Sequence, residues 1–317
     1  MLSLTDFINA VEENDLEVDA VMAIKNDTIL GLHRFSDDIY HNVFSVAKSH
    51  LATAVGFAID EEKLSLDDKP IDAFADIIPD DIDPRWNDVT LHNLMTMTSG
   101  HGEPFLMASD RKKLRGETEE KLPEEMMNEW LIFAFTCPMV YEPGEKFSYG
   151  NLAPYVAGRM LEKTVGMSVC DYLYEKFWSR IGTAKPRWDT DSKGHTFPAS
   201  DLFLDIVDMA KLGQLYASGG TYKGIRFLSK EWVKNAGAFH VPSSSINPVG
   251  NAIDEEAGYG FYFWRNYGDK NSYRCYGREA QFVIIMPDKN AVIAVQSMQH
   301  DVQPVMNAIW EYIFPQI

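Results

Sequence analysis

The sequence predicts an α+β fold in which both ends of the chain contribute strands to one sheet and a mostly helical region lies between them. Two observations support this prediction. Short segments rich in β-branched and aromatic residues occur near the start of the chain and again after residue 257. Between residues 45 and 220, helical patterns dominate and are interrupted by loops that contain Pro and Gly. Strands at both ends with helices between them favour one shared sheet with an inserted helical region.

The predicted elements follow in order along the chain. An amphipathic helix occupies MLSLTDFINAVEEND, and two strands joined by the turn Lys25–Thr28 follow in DAVMAIKNDTILGLHRF. The returning strands are predicted in GYGFYFWRN, SYRCYGREAQFVIIM and AVIAVQS, and a final helix in DVQPVMNAIWEYIF, with Asp301 as its cap. We therefore predict that residues 1–60 and 200–317 form the sheet region, that residues 61–199 form the helical region, and that the two act as a single unit.

Composition and charge restrict the function classes. The chain has 317 residues, a net charge of −18 and three widely spaced cysteines. Such an acidic protein lacks the basic surface that nucleic acids and anionic membranes require. The cysteines form no CxxC pattern and no disulfide ladder, which fits a reducing compartment. The first residues lack the pattern of a signal peptide, so we predict a cytoplasmic protein. The eight histidines are scattered, and HExxH, Walker and dinucleotide motifs are absent, so neither a metal nor a cofactor is predicted.

The segment FSVAKSH, residues 44–50, places Ser45 three residues before Lys48 at the start of a long apolar run. Residues i and i+3 share one face of a helix, so the amine can reach the hydroxyl. A helix that is apolar on nearly every side is buried, and burial favours a neutral lysine that accepts a proton. A second interpretation remains open, in which Ser45 caps the helix and Lys48 extends to solvent. Another pair with this spacing, Ser109 and Lys112, lies among charged residues without an apolar flank.

Tyr149 and Asn151 follow a Pro-Gly turn in EPGEKFSYGNLAPYVAGRMLEK, just before a predicted helix that has Pro154 in its first turn. A phenol beside an ammonium shifts towards phenolate and becomes a plausible general base. An amide two residues later can hold a substrate carbonyl or the lysine. The alternative is that Tyr149 is a loop aromatic and Asn151 a helix cap.

Four segments in this order and spacing resemble the serine β-lactamase and penicillin-binding-protein superfamily: FSVAKSH, LHNLMTMTSGHG, YEPGEKFSYGN and YGREAQF. The likeness is greatest to its class C-related branch of esterase-like and D-aminopeptidase-like hydrolases, and it covers the chain from about Asp19. It implies an antiparallel sheet with helices on both faces, a mostly helical second region, and a site between them. It also implies that Ser45 is the acylated nucleophile, Lys48 its proton partner, Tyr149 the base and Asn151 a substrate-positioning residue.

The segment GREAQ, residues 277–281, departs from the superfamily pattern, which places Lys-Thr-Gly or a histidine variant on the strand that lines the cleft. We predict that Gly277, Arg278, Glu279 and Gln281 contact the substrate. Gly277 would allow a close approach of the substrate backbone. By likeness to the family, a backbone N–H near Gln281 would form the oxyanion hole with that of Ser45. Alternation along a strand would turn either Arg278 or Glu279 into the cleft, and Glu279 there would repel an anionic substrate.

The sequence thus predicts a serine hydrolase that cleaves an ester or amide through an acyl-enzyme at Ser45 and acts poorly on β-lactams. Its predicted partner is a small neutral ester or amide substrate, and its oligomeric state is not predicted. Two alternatives remain open. One is a catalytically silent binding or sensor domain with the same fold, and the other is a true β-lactamase or D,D-peptidase.

Overall fold

The computed structural model describes residues 2–37, 40–243, 256–269 and 271–317. Its main sheet has six antiparallel strands in the order β2-β1-β10-β9-β8-β7. The strands of the chain are β1 (Val18–Lys25), β2 (Thr28–Arg34), β3 (His41–Asn42), β4 (Phe203–Leu204), β5 (Thr221–Tyr222), β6 (Ile225–Arg226), β7 (Trp264–Arg265), β8 (Tyr273–Gly277), β9 (Gln281–Met286) and β10 (Ala291–Ser297). The predicted α+β fold with an antiparallel sheet flanked by helices is confirmed.

The helices pack around this sheet. They are α1 (Thr5–Glu13), α2 (Val46–Asp60), α3 (Pro70–Ala73), α4 (Leu91–Met95), α5 (Ala108–Leu114), α6 (Glu124–Asn128), α7 (Trp130–Thr136), α8 (Leu152–Val165), α9 (Val169–Lys176), α10 (Ile206–Ala217), α11 (Lys230–Ala236) and α12 (Gln303–Ala308). Helix α10 packs on β1, β9 and β10, and α2 packs on β8 and β9. The described part of the chain contains no helix that is both long and apolar enough to cross a bilayer.

The central strands have sequences suited to burial on both sides. Every residue of β9 and of β10 is buried, and both strands are nearly continuous apolar runs. A strand that is covered on both faces loses the polar and apolar alternation of a half-exposed strand. Strand β2 lies at the edge of the sheet and is partly exposed along its length. The sheet core therefore lies at β1, β10 and β9, and β8 is the next strand beyond β9.

Three details of the predicted elements are wrong. Only Trp264–Arg265 of GYGFYFWRN forms a strand, because Gly258 (φ 109°) and Tyr262 (φ 61°) leave the extended conformation. The segment SYRCYGREAQFVIIM contains two strands joined by a turn at residues 278–280. The last α-helix ends at Ala308 and continues as a wider helical turn instead of remaining α-helical to the predicted end. Val302 is the residue before the helix, and the predicted cap Asp301 accepts from Gln303 N–H at 3.3 Å. The division into the regions 1–60 with 200–317 and 61–199 stays a prediction.

Candidate active site

Ser45 lies immediately before α2, where a two-residue strand turns sharply into the helix. Val43 N–H donates to the Leu202 carbonyl at 2.8 Å, and β3 pairs with β4. Phe44 has a positive φ of 45°, which is uncommon for a residue with a bulky side chain. Its N–H donates to Asn42 Oδ1 at 2.8 Å. The turn that presents Ser45 is therefore held by contacts from outside the helix.

Lys48 is buried one turn into α2, with only 1% of its surface exposed. Its Nζ lies 2.9 Å from Ser45 Oγ, 2.9 Å from Asn151 Oδ1 and 2.7 Å from the Ala199 carbonyl oxygen. The Ser45 hydroxyl makes no capping bond to α2 in the described structure. The interpretation in which Ser45 caps the helix and Lys48 extends to solvent is therefore wrong.

The three contacts of Lys48 match an ammonium that donates to all three oxygens, and they also accommodate a neutral amine. Such an amine has two N–H groups and one lone pair, and the Ala199 carbonyl and Asn151 Oδ1 are both acceptors. The orientation of the Asn151 amide is set by its other end, because Nδ2 donates to the Leu106 carbonyl at 3.2 Å. Once the two N–H groups are donated, the lone pair is left to face the Ser45 hydroxyl. This arrangement could accept the serine proton.

The electrostatic surroundings of Lys48 favour the same state. Burial lowers its pKa well below the ordinary value of a lysine, and the Arg111 cation lowers it further. The Asp201 carboxylate acts in the opposite direction but is the weaker influence. A lowered pKa makes the neutral amine available nearer to neutral pH.

Tyr149 forms one wall beside the lysine. Its ring centroid lies 4.9 Å from Lys48 Nζ, and the residue is buried among aromatic side chains. The centroid of Trp264 is 5.2 Å away, and those of Tyr259 and Phe147 are 6.2 and 6.4 Å away. The structure thus brings Tyr149 and Asn151 to the lysine, as predicted from the sequence, while the role of Tyr149 as a base stays a prediction.

The end of the β8–β9 hairpin approaches the same turn. A side chain at Gly277 would place its Cβ 2.3 Å from the Val43 carbonyl oxygen, so β8 packs directly against the segment before Ser45. Gly277 pairs with Gln281, and residues 278–280 form the turn between them. The expectation that this segment is one strand lining the cleft is wrong, because Glu279 (φ 61°) and Ala280 (φ 57°) turn the chain back.

Arg278 and Glu279 therefore take their positions from the turn and not from strand alternation. The Arg278 side chain is 66% exposed and its Nε lies 3.5 Å from Glu279 Oε1. The Glu279 side chain is 16% exposed, and its Oε2 is buried without a hydrogen-bond partner in the described structure. The Gln281 side chain is fully buried and donates to the Ser297 carbonyl. Any contact of Gln281 with a substrate would have to come from its backbone.

Three further groups were missed by the sequence reasoning. The Ala199 carbonyl contacts the lysine, and a main-chain acceptor carries no sequence signal. Arg111 and Asp201 form an ion pair with side chains only 12% and 16% exposed. Residues 109–125 are rich in charged side chains, but one arginine of that stretch, Arg111, points inwards. The competing pair Ser109 and Lys112 is exposed on α5.

The histidines show no sign of a metal site. His50 is fully buried and its Nδ1 lies 3.2 Å from the Val46 carbonyl, while the His101 Nδ1 lies 2.9 Å from Ser99 Oγ. Among the described residues, no cluster of three or more His, Cys, Asp or Glu side chains is arranged to hold a metal ion.

Comparison with known proteins identifies the family to which the chain belongs. The family model described as Beta-lactamase matches residues 9–314. Acyltransferase calJ of Penicillium decumbens is 27% identical over 175 residues, which are 50% of this chain and 40% of that protein. The 6-aminohexanoate-dimer hydrolase of Paenarthrobacter ureafaciens is 19% identical over 290 residues, covering 89% of this chain and 73% of that protein.

Solved structures share the fold at low identity. A penicillin-binding protein homologue from Caulobacter crescentus superposes with a TM-score of 0.76 at 14% identity, covering 99% of this chain and 97% of that one. A family VIII carboxylesterase gives a TM-score of 0.73 at 16% identity, with 99% of each chain covered. The match along almost the whole chain and the shared fold lead to one conclusion: this chain belongs to the Beta-lactamase family.

Proposed function

We propose that this protein is a serine hydrolase that cleaves esters or amides through an acyl-enzyme on Ser45. The observation that carries the proposal is the contact of the buried Lys48 amine with Ser45 Oγ at 2.9 Å. Once neutral, this amine can donate to the Ala199 carbonyl and Asn151 Oδ1 and turn its lone pair to Ser45. A serine becomes a nucleophile when an adjacent base removes its proton. The lowered pKa of Lys48 makes that base available.

The steps follow from these positions. Ser45 Oγ attacks the substrate carbonyl and its proton passes to Lys48. Tyr149, beside the amine, relays that proton to the leaving group. Backbone N–H groups at Ser45 and near Gln281 stabilise the negative charge that develops on the carbonyl oxygen. Water then hydrolyses the acyl-enzyme with the same groups in reversed roles. The proposal agrees with relatives that are named a carboxylesterase and a 6-aminohexanoate-dimer hydrolase.

The preferred substrates are small neutral esters or amides rather than β-lactams. Arg278 is the cation available at the turn, but it is largely exposed and lies beside the Glu279 carboxylate. A carboxylate so close to the cation weakens its attraction for an anionic substrate. The net charge of −18 adds a weaker, salt-screened repulsion.

Labelling with a fluorophosphonate, followed by intact-mass analysis and peptide mapping, tests the proposal. We expect one adduct, located on the peptide that contains Ser45 and absent in Ser45→Ala. The matched control is Ser109→Ala, which removes the exposed serine of the competing pair and should leave the adduct unchanged. A folded wild-type protein that forms no adduct and cleaves neither p-nitrophenyl acetate nor a chromogenic cephalosporin would instead support a silent binding domain.

A further inference from the structure

A single short segment, residues 199–204, contacts Lys48 and also the chain segment that leads into Ser45. The Ala199 carbonyl accepts from Lys48 Nζ at 2.7 Å. Farther along, the Leu202 carbonyl accepts from Val43 N–H at 2.8 Å, and β4 pairs with β3. The position of this segment therefore decides both where the amine lies and how the turn before Ser45 is held.

Asp201 is the centre of this segment and adopts an unusual backbone conformation. Its φ is 57°, a region that few residues other than glycine occupy, although aspartate tolerates it better than most. Its carboxylate joins two other elements. Oδ1 accepts from Asn42 Nδ2 at 2.9 Å, and Oδ2 is paired with Arg111 Nη1 of α5. Because Asn42 also accepts from Phe44 N–H at 2.8 Å, Asp201 is one bond removed from the turn that presents Ser45.

Arg111 is itself fixed in place. Its guanidinium lies 4.4 Å from the centroid of the Phe197 ring, and its side chain is only 12% exposed. Although burial opposes the ionisation of Asp201, the Arg111 cation and the bond from Asn42 hold the pKa of this carboxyl below its ordinary value. The ion pair is therefore held from two sides, by the Asn42 amide of β3 and by the Phe197 ring.

We propose that Arg111 and Asp201 are positioning residues of the active site: their ion pair holds residues 199–204 against Lys48 and the Ser45 turn, and it presents two opposite charges to the amine. This inference rests on the proposed function. The charged and titratable groups that bear on the amine are Arg111 from α5, Asp201 from this segment and Tyr149 from the loop before α8.

Each charge acts on the lysine in its own direction. The Arg111 cation lowers the pKa of Lys48, and the Asp201 anion raises it. Removal of the cation alone leaves the anion uncompensated, so the protonated amine is favoured and a higher pH is needed to obtain the base. Removal of the anion alone does the opposite. A role confined to stability would slow both variants without moving their pH profiles in opposite directions.

The experiment measures the rate of Ser45 labelling by a fluorophosphonate, and kcat/KM for p-nitrophenyl acetate, from pH 5 to 9. In Arg111→Gln the midpoint of the acid limb should rise by about one pH unit, and in Asp201→Asn it should fall by a smaller amount, because the Asp201 anion is the weaker influence on Lys48. Asparagine keeps an oxygen that can accept from Asn42, so the turn is preserved. The midpoint of the acid limb in the double variant should lie between the midpoints of the two single variants, close to that of the wild type. Arg111→Lys keeps the positive charge, so its midpoint should equal that of the wild type.

Midpoints that shift in the same direction, or that stay in place while the rates fall, would overturn the role of the pair. The neutral double variant keeps this test available if one single variant fails to fold, because its predicted midpoint differs from that of the surviving single variant. A wild-type protein with no labelling at Ser45 at any pH is a separate result. It would overturn the proposed function itself and this inference with it.

Discussion

The contact between Gly277 and the turn before Ser45 predicts the effect of a single methyl group. In Gly277→Ala, the new Cβ would lie 2.3 Å from the Val43 carbonyl oxygen, whereas real Cβ contacts essentially never fall below 3.0 Å. Either β8 or the Val43 carbonyl must therefore move by about 0.7 Å or more. Both are backbone, so no flexible side chain can relieve the overlap.

The size of the effect on stability and on the labelling rate depends on which backbone segment moves. Overpacking of this kind destabilises a fold by about 1 to 3 kcal/mol. Val43 lies two residues before Ser45, and its N–H is bonded to Leu202, so a shift in its carbonyl displaces the nucleophile. A displacement on the order of 1 Å costs roughly a hundredfold in rate. We therefore expect Gly277→Ala to label at Ser45 roughly a hundred times more slowly than the wild type, with a modest loss of stability.

The assay compares rates of fluorophosphonate labelling and urea unfolding with a matched control. In Gly268→Ala the new Cβ would lie 3.5 Å or more from the Trp310 ring, which is an ordinary contact, and the φ of Gly268 is not in the left-handed region. This control should stay within about 0.5 kcal/mol of the wild type and keep its labelling rate. If Gly277→Ala matched the control in both measurements, the close packing of β8 on the Ser45 turn would be refuted.

Three further predictions concern the proton pair, acid stability and substrate choice. Lys48→Ala and Tyr149→Phe should each slow acylation by about two to four orders of magnitude, and the double variant should be far from additive; full activity in Tyr149→Phe would remove the tyrosine from the mechanism. Burial lowers the pKa of His50 and of His101 from 6.5 to about 4, so both add stability above pH 6.5 that is lost as the pH falls towards 4. Each histidine should lower the free energy of unfolding by about 2 kcal/mol as the pH falls from 7 to 5. In His50→Gln, the free energy of unfolding in urea should therefore depend less steeply on pH over this range. An unchanged dependence would contradict burial of a neutral imidazole. Finally, kcat/KM should be higher for p-nitrophenyl acetate than for a chromogenic cephalosporin. Glu279→Gln should reduce the difference between the two kcat/KM values, because it removes a negative charge beside Arg278. A higher kcat/KM for the cephalosporin in the wild type would contradict the inferred substrate class.

The sequence was informative where function depends on local spacing. Ser45 and Lys48 are three residues apart on one helix, so their contact follows from helix geometry once the helix is recognised as buried. Tyr149 and Asn151 could be singled out because they lie between a Pro-Gly turn and the start of a predicted helix, and both features are local in the sequence. The apolar runs of β9 and β10 identified the buried strands for the same reason, since neighbouring residues determine the pattern.

What the sequence could not supply are contacts between distant segments. The Ala199 carbonyl has no side chain to mark it, and Arg111 lies in a stretch whose average composition is that of a solvated loop. The sequence predicts a strand at residues 278–280, whereas the structure has a turn there. Glu279 and Ala280 adopt positive φ values, and neither is a residue type that indicates such a conformation. The pairing of Gly277 with Gln281 requires that turn, and pairing partners are not visible in one sequence.

The pairing of β1 with β10 has a consequence for synthesis of the chain. Val21 lies opposite Val295, so the inner edge of the β1–β2 hairpin has no partner until the chain has been translated as far as β10. At about 5 to 20 residues per second this interval lasts roughly 14 to 55 s. During that time an apolar strand with unpaired backbone groups is exposed on the ribosome, which is a condition for aggregation. Recovery of native protein should therefore depend on chaperones that cover the early strands, even if the finished fold is stable.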